Sequence, residues 1–269
     1  MRNIEPMKKY NINEKFFSNI DSEEKAYWLG FLYADGYIRS NKLNFVRLKL
    51  AIKDLGHMEK FRESIGSNHR IEIYDSVINP YCQITIGCKE MVLDLINSGC
   101  VNNKGFKIRL PNVQDHLMAH FIRGYFDGDG CITHKNVNSY CVSIISNIRF
   151  INDLKIYLGY GNININYKNN DLANLNIYKE VRMFRKYIYD GSTIFLQRKF
   201  ESFNKMDTIY INKVWCPNNY IVTNIESKEK FTVNNLSLFC KLNGLSESGM
   251  YKVSAKKYKS HKGFICEKI

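Results

Sequence analysis

Nowhere in its 269 residues does this chain carry an apolar run approaching the length of a membrane span. The opening Met1-Arg-Asn-Ile-Glu-Pro6 has no signal-peptide core, so a cytoplasmic setting (bacterial or phage) or an organellar one is expected, not secretion. Zinc-ligand spacing is missing too: the eight cysteines form no Cys-x-x-Cys pair and have no suitably placed His, which points to reduced thiols, several as small core residues. Acids are scarce. Only 26 Asp and Glu face 39 Lys and Arg, and the net charge of +13 favours a polyanionic partner over an acidic small molecule. What is abundant is core-forming material, 45% hydrophobic and 13% aromatic residues, enough for one large domain or two smaller ones.

Two stretches say the same thing twice: Trp28-Leu-Gly-Phe-Leu-Tyr-Ala-Asp-Gly36 and Ile122-Arg-Gly-Tyr-Phe-Asp-Gly-Asp-Gly130. Each places two small residues four apart, Gly30 with Ala34 and Gly124 with Gly128, so they stack on one helix face and allow close approach of a second backbone. Packing the two helices together would set Asp35 and Asp129 side by side at one end. Gly36 and Gly130 then suit a left-handed helix stop. Paired carboxylates at such a seam are costly unless a cation holds them, and hard oxygen ligands select Mg²⁺, or Mn²⁺, in a phosphoryl-transfer geometry.

The surroundings repeat as well. The two acids lie 94 residues apart, and Asp21-Ser-Glu-Glu24 and Asn112-Val-Gln-Asp115 read as matching openings of the two motif helices, the first as a capping box. A hairpin follows each motif, then a helix ending at Gly66 or Gly159, a second hairpin, and a third helix beginning near Lys89 or Lys179.

This pattern resembles the LAGLIDADG homing endonucleases, in the form where one chain carries both motifs, matching at the Gly, the small residue, the Asp and the last Gly. Tyr33 stands where the motif has an earlier acid, which the second copy keeps as Asp127. The resemblance implies an α+β fold of two pseudo-symmetric αββαββα half-domains, 20–111 and 112–203, forming a DNA-binding saddle in a monomer. It implies a metal-dependent endonuclease, with Mg²⁺ or Mn²⁺ held at Asp35 and Asp129 beside Ala34 and Gly128, and each acid serving one strand. Lys89 and Lys179 are then the candidate basic residues near the scissile phosphates. The family cuts across the minor groove to leave 3′ overhangs and spreads its own intron or gene. A chain that neither starts with Cys or Ser nor ends in His-Asn is not expected to be intein-embedded. The rival readings are an intron RNA maturase, whose partner is the host intron RNA, and a transcription regulator that keeps the fold.

Strand alternation indicates which side chains would read the target. Val46, Leu48, Leu50 and Ile52 form one face, leaving Phe45, Arg47 and Lys49 on the other; Gln83 and Thr85 oppose Ile84 and Ile86. In the second half Asn162, Asn164 and Asn166 oppose Ile163 and Ile165, and Asn174 and Asn176 oppose Leu175 and Ile177. Amides pair with adenine and Arg with guanine in the major groove, so these faces, with Arg39 and Lys42 in the first turn region, predict a long, AT-leaning double-stranded DNA site. Arg198 and Lys199 in the closing segment read as phosphate contacts.

Residues 204–269 fit neither half and hold 11 Lys against 5 acids. A hairpin over 220–233, a helix 236–242, a Gly-containing turn and a helix from about 247 to 255 make helix-turn-helix arithmetic. The region 216–269 resembles the modular DNA-binding repeats appended to homing endonucleases. That implies Ser246, Ser248, Met250 and Tyr251 at the start of a recognition helix, with Lys252, Lys256, Lys257, Lys259 and Lys262 on phosphates.

Overall fold

A computed structural model describes residues 10–101, 107–136, 139–165, 171–214, 219–233 and 236–269. Asn166 and the start of the tail at 216 lie outside the described residues. The chain divides into two compact units, Met1–Met206 and Asp207–Ile269.

The first unit contains the same half twice. Helix α1 (Glu23–Ala34) leads into β1 (Gly36–Ser40) and β2 (Asn44–Ala51), a 3-10 turn (Ile52–Asp54), α2 (Leu55–Ser64), β3 (Glu72–Tyr74), β4 (Tyr81–Ile86) and α3 (Lys89–Asn97). The second half runs α4 (Asp115–Asp129), β5 (Gly130–Asn136), β6 (Ser139–Asn147), α5 (Ile148–Leu158), β7 (Asn162–Ile165), β8 (Leu172–Ile177) and α6 (Val181–Tyr189), and α7 (Gln197–Val214) follows. Both sheets are four-stranded and antiparallel, ordered β1-β2-β4-β3 and β5-β6-β8-β7. Recurrence of that strand order is stronger support for a duplicated half than the motif repeat alone.

Alternation sorts the sheet faces as the pattern requires. Val46, Leu48 and Leu50 of β2 and Cys82, Ile84 and Ile86 of β4 are buried, while Arg47, Lys49, Gln83 and Thr85 point away from the core. The buried faces of both sheets join one hydrophobic core, which runs through the seam between α1 and α4.

Two glycines at that seam decide how close the helices come. A Cβ on Gly30 would lie 2.9 Å from both the Phe121 carbonyl carbon and the Tyr125 nitrogen, and closer still to the Phe121 oxygen. One on Gly124 would lie 2.9 Å from the Tyr27 carbonyl carbon and the Phe31 nitrogen, and closer to the Tyr27 oxygen. Each helix therefore presses backbone against backbone on the other, which only a hydrogen side chain permits.

The helix ends differ from expectation in two ways. Ser22, not Asp21, caps α1 by accepting from Lys25 N–H, and Gln114 caps α4 without a side-chain bond, so the second opening is no capping box. Gly36 and Gly130 are not left-handed: Gly130 is extended (φ −74°, ψ 154°), and each helix passes directly into a strand. These glycines are needed for space, because a Cβ on Gly36 would meet the Leu32 carbonyl oxygen at 2.7 Å and one on Gly130 would strike the Phe126 ring.

The second unit has its own small core around Val222, Met250, Val253 and Cys266. It holds β9 (Tyr220–Asn224), β10 (Lys230–Val233), α8 (Leu236–Leu242), α9 (Glu247–Ser254) and β11 (Phe264–Lys268). The last strand, unanticipated, pairs with β9 and makes it the centre of a three-stranded sheet.

Candidate active site

Asp35 is the C-cap of α1 and Asp129 the last residue of α4, and both carboxylates are exposed where the helix pair meets the sheets. Asp35 Oδ2 lies 3.3 Å from where a Gly128 Cβ would project, so the first acid sits against the residue preceding the second. Two buried groups feel both acids. The Tyr125 hydroxyl, which donates to Ser146 Oγ at 2.9 Å, has its pKa raised by burial and by Asp129 and Asp35. Lys199 is lowered to about 8 by burial, against the pull of Asp127, Asp35 and Asp129.

Among the described residues no group of three or more His, Cys, Asp or Glu side chains converges on one point. The donors that the seam presents are the carboxylate oxygens of Asp35 and Asp129. All are hard oxygens, which fits a cation such as Mg²⁺ that keeps several waters and takes only one or two protein carboxylates.

The floor of this site is a buried polar latch that the pattern of motifs did not reveal. Asp127, fully buried, accepts from Tyr27 Oη (2.8 Å), Tyr189 Oη (2.5 Å) and Leu196 N–H (2.7 Å). Burial raises its pKa against those three hydrogen bonds. Tyr27 has one hydroxyl proton, given to Asp127, so His57 Nε2–H donates to the Tyr27 oxygen at 2.8 Å and the ring is neutral. Burial, with Lys60 and Arg198 nearby, lowers the His57 pKa to about 3. In the first half Tyr33 occupies the position of Asp127 and donates to the Ser98 carbonyl at 2.6 Å. The earlier acid of the motif is a packing element in both halves, which is why a tyrosine substitutes for it.

Arg123 and Lys199 fasten the closing segment to the same helices. Arg123, 1% exposed, donates to the Ile188 and Ile194 carbonyls and to Glu23 Oε1 at 2.6 Å. Lys199 Nζ donates to the carbonyls of Phe126 (2.6 Å), Gly128 (3.1 Å) and Gly130 (2.6 Å), gathering the C-terminal carbonyls of α4. A cation there complements the negative end of the helix dipole. Lys199 is thus a buried helix cap rather than a phosphate contact, and Arg198 is engaged by Asp54 at 3.0 Å.

Among the described residues, neither Lys89 nor Lys179 lines the cavity beside its acid. Lys89 starts α3 beyond the Ile86 end of β4, whereas the cavity beside Asp35 is lined from the other end, at Tyr81. Lys179 lies past the Ile177 end of β8, while Leu172 at the opposite end lines the cavity of Asp129. By register Asp35 stands near the Lys49–Gln83 level of its sheet and Asp129 near the Ile145–Asn174 level of its own, so each lysine follows further along the chain, past the end of the inner strand. The cations that line the Asp35 cavity are Lys49 and Lys53. Sequence reading placed Lys49 on the outer face; that the same side chain borders the acid requires the β1–β2 register, in which Gly36 pairs with Leu48.

The outer faces of the two sheets are chemically unlike. On the first, Arg47 Nε donates to Thr85 Oγ1, Lys49 Nζ sits 3.5 Å from the centre of the Tyr81 ring, and Gln83 donates to Glu72. Arg39 donates to Asn41, and Lys42 is exposed. On the second, Asn162 and Asn164 are exposed and Asn174 is half-buried. Asn176 is buried at 8% and accepts from the Cys141 thiol, which withdraws it from the readable face.

In the second unit Ser246 caps α9 by accepting from Gly249 N–H and gives its own N–H to His261. Ser248, Lys256 and Lys257 are exposed; Lys252 lies over the Tyr258 ring, and Lys262 is held by the Gly244 carbonyl. Lys256, Lys257, Lys259 and Lys268 border a recess of about 740 Å³.

Residues 116–190 match the family model described as a LAGLIDADG-like domain. I-SmaMI bound to an uncleaved DNA target in the presence of calcium ions superposes with a TM-score of 0.50 at 12% identity, covering 70% of this chain and 91% of that one. The I-LtrWI LAGLIDADG homing endonuclease bound to target DNA gives 0.49 at 12% identity, covering 76% and 92%. No curated protein sequence matches. The fold is that of the LAGLIDADG meganucleases. Within that fold the matched 116–190 region is the second half, carrying Asp129, and the equivalent strand order of the first half carries Asp35.

Proposed function

We propose that this protein is a site-specific DNA endonuclease of the LAGLIDADG type, hydrolysing both strands of a long duplex target and so promoting the mobility of its own intron or gene. The observation that carries the reading is the pair of exposed carboxylates, Asp35 and Asp129, at the shared end of two close-packed helices, one from each saddle half. A fold of two like sheets matches a target of two like strands, and the charge of +13 matches its phosphates.

Asp35, Asp129 and the Ala34 and Gly128 carbonyls are the groups that would hold Mg²⁺ or Mn²⁺. Bound there, a divalent cation supplies Lewis-acid polarisation of the phosphodiester and activation of water. The protein's own part is positional. The glycine seam sets the spacing of the acids, Lys199 and the Asp127 latch fix the end of α4, and the outer sheet faces set the register of the duplex. Arg47, Lys49, Gln83 and Thr85 read one half-site, and Asn162, Asn164 and Asn174 the other, where amides favour adenine. Ser248, Lys256 and Lys257 of the tail, with Lys259, add contacts outside the saddle.

The test is incubation with Mg²⁺ and plasmid DNA carrying the rejoined sequences that flank the reading frame. Discrete double-strand cleavage is expected from the parent protein, and none from Asp35→Asn or Asp129→Asn. Binding without cleavage by all three would instead assign the fold to a regulator, and preference for the intron RNA would assign it to a maturase.

A further inference from the structure

Between β3 and β4 the chain runs Asp75-Ser-Val-Ile-Asn-Pro80, a segment with one acid and no base in a protein of net charge +13. Such a composition does not seek phosphates. Its two central side chains are apolar and bare: Val77 is fully exposed and Ile78 is 86% exposed. Single apolar residues on a surface are ordinary, whereas two neighbours at a hairpin tip make a small apolar patch that a partner can cover.

The tip is not slack. Asn79 N–H donates to Ser76 Oγ at 3.2 Å across the turn, the Pro80 carbonyl accepts from Ile52 N–H at 3.1 Å, and Pro80 fixes its own φ. At its root Tyr74 and Tyr81, a register pair, stack with ring centres 4.6 Å apart. Branching at Cβ already restricts χ1 of Val77 and Ile78, so a contact costs them little further freedom.

Register sets its place. Tyr81 opens β4 at the Ala51 end of β2, and Ile78, Asn79 and Pro80 border the cavity of about 630 Å³ that holds Asp35. A cavity of that volume is roughly 10 Å across, or about three base steps of 3.4 Å. The outer face running away from this end carries Gln83, Thr85 and Arg47, the groups proposed to read a half-site in the major groove. The tip extends that face inward, toward the cut.

Resting on the endonuclease reading, we infer that Val77 and Ile78 determine specificity for thymine, packing on its C5 methyl in the major groove within about three base pairs of the cut served by Asp35. Thymine is the one base whose major-groove edge carries an apolar group. Against adenine, guanine or cytosine, two aliphatic side chains strip water from donors and acceptors and return no hydrogen bond, so the tip rejects as well as attracts. This chemistry differs from the amide and guanidinium readout of the strands.

The experiment uses the full chain and a labelled duplex carrying the rejoined flanking DNA, with Mg²⁺ withheld so that the duplex stays whole, and reads affinity by fluorescence anisotropy. Each thymine of the site is replaced in turn by deoxyuridine, which removes the methyl and leaves every hydrogen-bonding group in place. At one or two positions beside the cut, affinity should fall by about 3–5-fold, the worth of one buried methyl. Val77→Ser combined with Ile78→Ser should bind the parent duplex more weakly and lose nothing further from deoxyuridine at those positions, while deoxyuridine elsewhere acts as before. Both side chains are exposed, so this variant should melt with the parent and, with Mg²⁺ restored, still cleave. Neutral deoxyuridine at every thymine beside the cut, or the same loss in the variant as in the parent, would overturn the inference and leave the endonuclease reading intact. A parent protein that neither binds nor cleaves the duplex would overturn both.

Discussion

Gly124→Ala is the sharpest probe of how the helix seam serves the acids. The added carbon would stand 2.9 Å from the Tyr27 carbonyl carbon and the Phe31 nitrogen, and nearer to the Tyr27 oxygen. Favourable carbon contacts begin near 3.5 Å, so α1 and α4 must part by about 1 Å or more. None of the obstructing atoms belongs to a side chain that can swing away, and neither helix can yield without disturbing the core on its other side. Overpacking of this kind costs about 1–3 kcal/mol, with the upper end expected where backbone meets backbone. Because Asp35 and Asp129 ride on the ends of the two helices, the same displacement separates them, and a misplacement of about 1 Å costs roughly 10²-fold in rate. Gly56→Ala is the matched control: a Cβ there meets nothing within 4 Å, so stability should hold or rise by up to about 1 kcal/mol. Chemical denaturation and single-turnover cleavage of the three proteins decide the matter. A Gly124→Ala protein with parental midpoint and parental rate would refute the claim that backbone contact sets the spacing of the acids.

Other outcomes follow from the same geometry. Asp127→Ala strands the Tyr189 hydroxyl and the Leu196 N–H in the core, while Tyr27 keeps His57, and thermal melting should show a loss of about 2–6 kcal/mol at the commonly observed cost of about 1–3 kcal/mol per orphaned group. His57, with its pKa lowered to about 3, stays neutral in the fold; its contribution is fully present above pH 6.5 and is lost as pH falls toward 3. A His57→Leu protein should therefore lose less stability between pH 7 and pH 4 than the parent in denaturant titrations, and parallel pH profiles would contradict that. Removing residues 216–269 should weaken DNA affinity and lower its salt dependence while metal-dependent cleavage persists, which a gel-shift series at several salt concentrations reads directly.

The sequence alone determined a great deal here, because its information is local and repeated. Small residues at helical spacing, an acid one residue later and alternating strands depend only on backbone periodicity, so the two motif helices, both αββαββα halves and the inward faces of β2 and β4 were readable. Distances between elements were not. Lys89 and Lys179 were matched by their place along the chain, whereas the described residues that line the cavity beside Asp35 include Lys49 and Lys53, which reach it through strand register. Lys199 looked like a surface contact until α7 packed against α4 and buried it under three carbonyls. Asp127 was legible only as the motif's earlier acid; that Tyr27, Tyr189 and Leu196, distant in sequence, close around it was decided by packing. β11 went unseen because its partner, β9, lies some forty residues earlier. The residues thus specify which groups exist and on which face of which element, since φ/ψ periodicity is a property of neighbours. Which carboxylates, cations and carbonyls meet depends on register and helix packing, which arise only when segments far apart in the chain exclude water together.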